Sequence, residues 1–213
     1  MWNTAMPNFP QLKFAPVTAF VLFAGAAVSH AQPTDRGSIV VYPTVFDQSG
    51  TKTSRASAET ALNDILKKGG FKVLDSSVAA RVWKAKGLRT PTATRPPSTA
   101  DLTELGKAIG VRYVVATTVS FHTRSIWVNL GPKTISTASF ATSIIDSKTG
   151  KVVHEADTEG RSDEKSDTLK VVGSLLITPL VSAVSGGPKT PHETRAAQIA
   201  AARALEKFVT VTN

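Results

Sequence analysis

Apolar residues recur along this chain in two rhythms, and their alternation predicts strands and helices in turn. Ser38 to Phe46 is a β-rich apolar run, and Pro43 inside it predicts a bulge or an end of pairing. Ala58, Ala61, Leu62, Ile65 and Leu66 then fall on one helical stripe, with Lys67 and Lys68 at its C-terminal end and Gly69 expected as a left-handed cap. Phe71 to Asp75 reads as a short strand, followed by a helix capped by Ser76 or Ser77 and carrying Ala79, Val82 and Trp83 inward. Residues 87–98, rich in Thr and Pro without an apolar period, predict an exposed basic loop. A short helix follows, capped by Ser98 or Thr99, with Leu102, Leu105, Ala108 and Ile109 on one side until Gly110.

The second half is β-rich. Val111 to Phe121 alternates as a long strand, Ser125 to Leu130 and Lys133 to Asp146 predict two more around the Gly131-Pro132 turn, and Lys151 to Gly160 is the last. On that last strand Glu155, Asp157 and Glu159 share one face, expected to be solvated, and His154, Ala156 and Thr158 the other. Residues 171–188 carry no charge, and Leu169, Val172, Leu176, Leu180 and Val184 predict an apolar helical segment over residues 166–187, bent at Pro179. Thr190-Pro-His-Glu193 reads as a capping box that opens a closing helix through Ala197, Ala201, Ala204, Leu205 and Phe208.

The extreme N-terminus changes the picture of where such a domain works. Lys13, the apolar run Phe14 to Val28 and Ser29-His30-Ala31 have the order of a cleaved export leader over residues 1–31. The alternative is an uncleaved anchor, for which this run falls short of the ~20 residues that span a bilayer. Residues 32–213 then form one domain, large enough for a single core. The chain has no cysteine, which excludes disulfides, thiolate nucleophiles, cysteine-ligated metals and a thioether lipid anchor. The expected location is therefore periplasmic or secreted, and not that of a lipoprotein. The formal net charge is +9, and loss of a leader with Lys13 as its only charge leaves the chain basic.

Four phrases carry a family resemblance: Ile39-Val-Val-Tyr-Pro43, then Leu62 to Asp75, then Leu105-Gly-Lys-Ala-Ile-Gly-Val-Arg-Tyr-Val-Val115, then Ile144-Ile-Asp-Ser-Lys-Thr-Gly-Lys-Val-Val153. In this order the chain resembles the bacterial envelope α/β domains of the CsgG-like and TolB amino-terminal-like family. The resemblance implies an α/β (α+β) fold, a mixed sheet of about five to six strands packed by helices, anticodon-binding-domain-like. It also implies a role in envelope assembly or secretion, as in curli assembly, by binding other components. The chain departs from the CsgG pattern in having no cysteine to acylate and one hairpin, around Gly131, which weighs against a pore.

Catalytic chemistry finds little to stand on. His122, His154 and His192 lack ligand spacing, although the first two could meet on neighbouring strands. No Gly-x-Ser-x-Gly elbow places a serine for activation, and Asp146 to Lys151 lacks the acids of a calcium loop and the glycines of a phosphate loop, so it reads as a turn. No metal, cofactor or catalytic residue is assigned. Arg81, Lys84, Lys86, Arg89 and Arg95 lie in a stretch without an acid between Asp75 and Asp101, a candidate surface for an anionic envelope polymer or membrane; a solvated loop without ligand is the alternative. Nucleic acid is not expected, since Trp83 alone interleaves these cations. Val172, Leu176, Leu180 and Val184 form either a core helix or a candidate partner or lipid surface. The resulting expectation is a non-enzymatic envelope protein that binds envelope proteins or an anionic polymer. Membrane contact without a span and an oligomer are compatible with it, and the alternatives are a secreted hydrolase with an unrecognised site and an oligomeric secretion element at the outer membrane.

Overall fold

A computed structural model describes residues 36–47, 49–128, 131–164 and 190–211. They form five strands and four helices in the order β1 (Ser38–Phe46), α1 (Lys52–Lys68), β2 (Lys72–Leu74), α2 (Ser76–Ala85), α3 (Thr99–Ile109), β3 (Tyr113–Val128), β4 (Gly131–Asp146), β5 (Lys151–Arg161) and α4 (Thr190–Val211). The strands make one mixed sheet in the order β2-β1-β3-β4-β5. β1 runs parallel to β2 and β3, whereas β3, β4 and β5 are successively antiparallel. The expected α/β class and mixed sheet packed by helices are what the chain adopts. The expected leader (1–31) and apolar segment (166–187, with Val172, Leu176, Leu180 and Val184) lie outside the described residues.

Two cores follow from the pleat. Ile39 and Val41 of β1, with Tyr113, Val115, Val119 and Phe121 of β3 and Phe140 and Ile144 of β4, meet α1 and α4 on one face. Val40, Val114, Ala116 and Ile145 point the other way and meet Trp83 of α2 and Leu102 and Leu105 of α3. Burial on both faces explains why β1 and the start of β3 read as unbroken apolar runs. The irregularity expected at Pro43 is present, as a register shift against β3 between Val41 and Thr44.

Several local expectations are corrected. Gly69 ends α1 with φ −71°, and the left-handed turn falls on Gly70 at φ 85°. Gly69 is needed for another reason: a Cβ there would lie 2.8 Å from Val209 of α4. Asp75, rather than Ser76 or Ser77, caps α2, accepting from the Ser77 N–H at 2.7 Å, and this bond holds its carboxyl below the usual carboxylate range. In α3 the inward position expected for Ala108 belongs to Gly106, where a Cβ would meet Val114 at 2.9 Å, while Ala108 is exposed. Strand β3 does not end at Phe121: it absorbs the separate strand expected from Ser125, because no breaker interrupts the alternation and β4 pairs with it throughout, from Tyr113↔Asp146 to Val128↔Gly131.

The capping box of α3 is complete. Ser98 Oγ accepts from the Asp101 N–H at 3.1 Å, and the Asp101 carboxylate accepts from the Ser98 N–H at 3.3 Å. Replacing Ser98 by Ala is expected to cost about 1 kcal/mol in urea denaturation. An unchanged midpoint would show that the cap contributes nothing to the fold.

Candidate functional surface

The feature that stands apart from both cores is the outer half of the β3–β4 hairpin. Pairing of β3 with β1 ends at Val119, and pairing of β4 with β5 ends at Thr137. Beyond Ser136 the two strands have, among the described residues, no other strand beside them, from Arg124↔Ile135 to Val128↔Gly131. At about 3.4 Å per residue this outer part extends roughly 15 Å.

Its foot is tied down by a buried polar knot. The Glu193 carboxylate, on the first turn of α4 and 4% exposed, accepts from the Thr51 N–H at 3.0 Å and the Ser54 hydroxyl at 2.6 Å, both at the start of α1. Its other oxygen accepts from Thr123 Oγ1 at 3.2 Å, and Thr123 meets Ser136 across the hairpin at 2.7 Å. Ser162, just past β5, exchanges two hydrogen bonds with the Ser136 backbone, its Oγ accepting at 3.0 Å and its N–H donating at 2.9 Å. One carboxylate therefore joins two helix starts to the base of the ribbon. The capping-box reading caught Glu193 but not these long-range partners, since a helix-start motif carries no information about Thr51 or Thr123.

The far end of the ribbon has a different character. Trp127 is 83% exposed and Val128 45%. Pro132 faces Trp127 across the last turn of pairing, while Lys133 stands opposite Ile126 and Arg124 opposite the buried Ile135. Arg124 and Lys133 are exposed, and neither has an ion pair among the described residues. No acid occurs between Glu104 and Asp146. The sequence signal for this surface was available: Ile126, Trp127 and Val128 are consecutive apolar residues, and a pleated ribbon cannot turn all three to one core.

The residues singled out by sequence occupy other places. Arg81 and Lys84 lie exposed on α2, Lys86 ends that helix, and Arg89 and Arg95 are exposed in the loop that follows. The loop is held by Trp83 Nε1 donating to the Arg89 carbonyl at 3.2 Å and by a Thr92–Arg95 bridge. The acid-free stretch is not acid-free in space, because Lys86 pairs with Glu104 of α3 at 3.2 Å. Glu155, Asp157 and Glu159 are exposed along β5, as their alternation predicts. The first two line an open groove of about 430 Å³, with Thr118, Ser143 and the loop residues Pro96 and Pro97. His122 and His154 do not meet, because β4 lies between their strands. His154 instead donates from Nε2 to the Ala204 carbonyl of α4 at 2.7 Å. Among the described residues no group of three or more acids and histidines is placed to hold a metal, and no helix is long and apolar enough to cross a membrane.

No protein-family model matches the chain, and no curated protein does. Solved structures do. Lipoprotein GNA1162 of Neisseria meningitidis is 20% identical with TM-score 0.43, over 64% of this chain and 92% of that one. The LpoB C-terminal domain of Escherichia coli is 17% identical with TM-score 0.38, over 58% and 82%. The PelC dodecamer of Paraburkholderia phytofirmans is 15% identical with TM-score 0.39, over 79% and 85%. At these levels the likeness says nothing of what this chain binds.

These findings correct two expectations. The resemblance to CsgG and to the TolB amino-terminal domain does not stand, since the structures matched are of the GNA1162, LpoB and PelC kind and no family model supports it. The phrases behind it encode local geometry that many folds share: Gly110 is the left-handed cap of α3 at φ 77°, and Asp146 Oδ1 closes its turn by accepting from the N–H groups of Lys148 and Thr149 at 2.9 and 3.1 Å. The expected location, periplasmic or secreted and explicitly not that of a lipoprotein, falls as well, because a lipoprotein is among the solved structures matched.

Proposed function

We propose that this chain is a non-enzymatic protein of the cell envelope that acts by binding other envelope components through the β3–β4 ribbon. The observation that carries this reading is Trp127, a large apolar side chain 83% exposed at the end of a ribbon whose foot is fixed by Glu193. A two-stranded ribbon is marginal alone, so an anchored one with an aromatic tip is built to present that tip. The solved envelope proteins matched above are compatible with such a role.

A photoreactive phenylalanine derivative in place of Trp127 is expected to crosslink an envelope component in intact cells, whereas the same group at Thr60, exposed on α1, gives none. Equal yields at the two positions would defeat the proposal. The hydrolase alternative makes the opposite demand: one change of a serine, histidine or aspartate, without unfolding, would abolish the phenotype.

A further inference from the structure

We infer that the tip of the β3–β4 ribbon is a lipid-contact element, which seats Trp127 and Val128 at the headgroup boundary of a bilayer carrying anionic lipid. This rests on the reading of the ribbon as the binding surface and names its partner. Three observations converge on it.

The first is the order of chemistry along the ribbon. Trp127, Val128 and Pro132 occupy the outermost rungs, Lys133 stands opposite Ile126 one rung behind Trp127, and Arg124 lies three residues behind it. At about 3.4 Å per residue these cations sit roughly 3 and 10 Å back from the indole. An aromatic ring at the interface with Lys and Arg stems reaching headgroup phosphates matches that spacing.

The second is charge. The exposed acids Glu155, Asp157 and Glu159 lie on β5, and the nearest of them to the tip, Glu159, pairs with Ser139, six residues from Lys133. That is roughly 20 Å, more than two Debye lengths at physiological salt. Of the acids nearer the foot, Glu164 is paired with Arg203 at 2.5 Å and Asp163 with Arg161 at 3.1 Å, while Asp47 and Glu193 bond only neutral groups at the foot, where Thr123 lies four residues, roughly 14 Å, behind Trp127. The ribbon therefore approaches an anionic surface tip first.

The third distinguishes lipid from a second copy of the chain. The acidic sheet face would attract the cations, but around Asp157 and Glu159 it is lined by Thr118, Ser120, Ser139 and Ala141, and among the described residues it offers an indole no large exposed apolar side chain there. A bilayer interface satisfies both the ring and the cations.

The chain has no cysteine, so Val128→Cys creates a single attachment point for an environment-sensitive fluorophore. With the full chain at physiological salt, vesicles of phosphatidylcholine and phosphatidylglycerol in equal parts are expected to shift its emission to the blue and shield it from an aqueous quencher. Pure phosphatidylcholine leaves it unshifted, and a label at Thr60→Cys responds to neither. Trp127→Ala is expected to weaken the vesicle affinity of the tip signal about tenfold, and Arg124→Gln with Lys133→Gln roughly thirtyfold. Each of these side chains is exposed, so circular dichroism stays unchanged. A label at 128 that ignores the anionic vesicles overturns the inference, as does a blue shift that grows with protein concentration in the absence of lipid, which would assign the tip to a second copy. If the vesicles have no effect but position 127 still crosslinks an envelope protein in cells, only the lipid assignment falls; if neither responds, the reading of the ribbon falls with it.

Discussion

Glu193→Ala is expected to lower stability by about 3 kcal/mol or more, read as a fall in the urea midpoint with the slope unchanged. The carboxylate is buried and accepts from the Thr51 N–H, the Ser54 hydroxyl and the Thr123 hydroxyl. Truncation removes charge-assisted bonds and leaves donors facing a cavity, which costs more than the bonds themselves contribute. Glu193→Gln should lose about half as much, since a carbonyl at the Oε2 position keeps both α1 contacts and only Thr123 must find a new partner. The loss should also appear at a distance, as faster proteolysis within residues 122–136, because the ribbon loses its tie to the helices. A Glu193→Ala protein as stable and as resistant as the parent would mean that the knot is ornamental.

Gly160→Val should be comparably severe, at about 3 kcal/mol. A Cβ at Gly160 would run into the Ala196 carbonyl oxygen and the Ala200 nitrogen, both backbone atoms of α4, and would come within 2.9 Å of Ile199 Cβ. Flexible side chains can move aside, but a helix backbone cannot without lifting as a unit. Lifting α4 would open the seam where Ala196, Ala197, Ala200, Ala201 and Ala204 are fully buried, and would strip the Thr158 and His154 side chains of their bonds to the Ala200 and Ala204 carbonyls. Thermal unfolding of the variant by near-ultraviolet dichroism measures this, and a melting temperature equal to the parent's would refute the tight seam.

How far the sequence foretold these features depends on the range of the interactions involved. The stripe Ala58 to Leu66, the inward set Ala197 to Phe208 and the outward acids of β5 were legible because each depends on periodicity within one element. Gly69 was misread because its smallness serves a contact with Val209, far away in the chain, while the turn itself needed only the neighbouring Gly70. Ala108 was placed inward by apolarity alone, although the closeness of α3 to β3 reserves that face for Gly106. The stretch is free of acids only along the chain, because linear distance hides Glu104 beside Lys86. Trp127 went unremarked because an aromatic in a strand is ordinarily core, and only the ends of pairing at Val119 and Thr137 reveal that, among the described residues, no other strand lies beside the ribbon's outer rungs.

The two borders of the sheet carry a further consequence. β2 offers only Lys72 to Leu74, too short a row of free backbone groups to recruit another strand. β5 is long, yet it presents Glu155, Asp157 and Glu159 in alternation, so two such borders brought side by side would set like charges against each other. Growth into a continuous cross-molecular sheet is thereby discouraged at both margins, and the chain can display a sticky apolar point at one extremity while its flanks refuse the commonest route to aggregation.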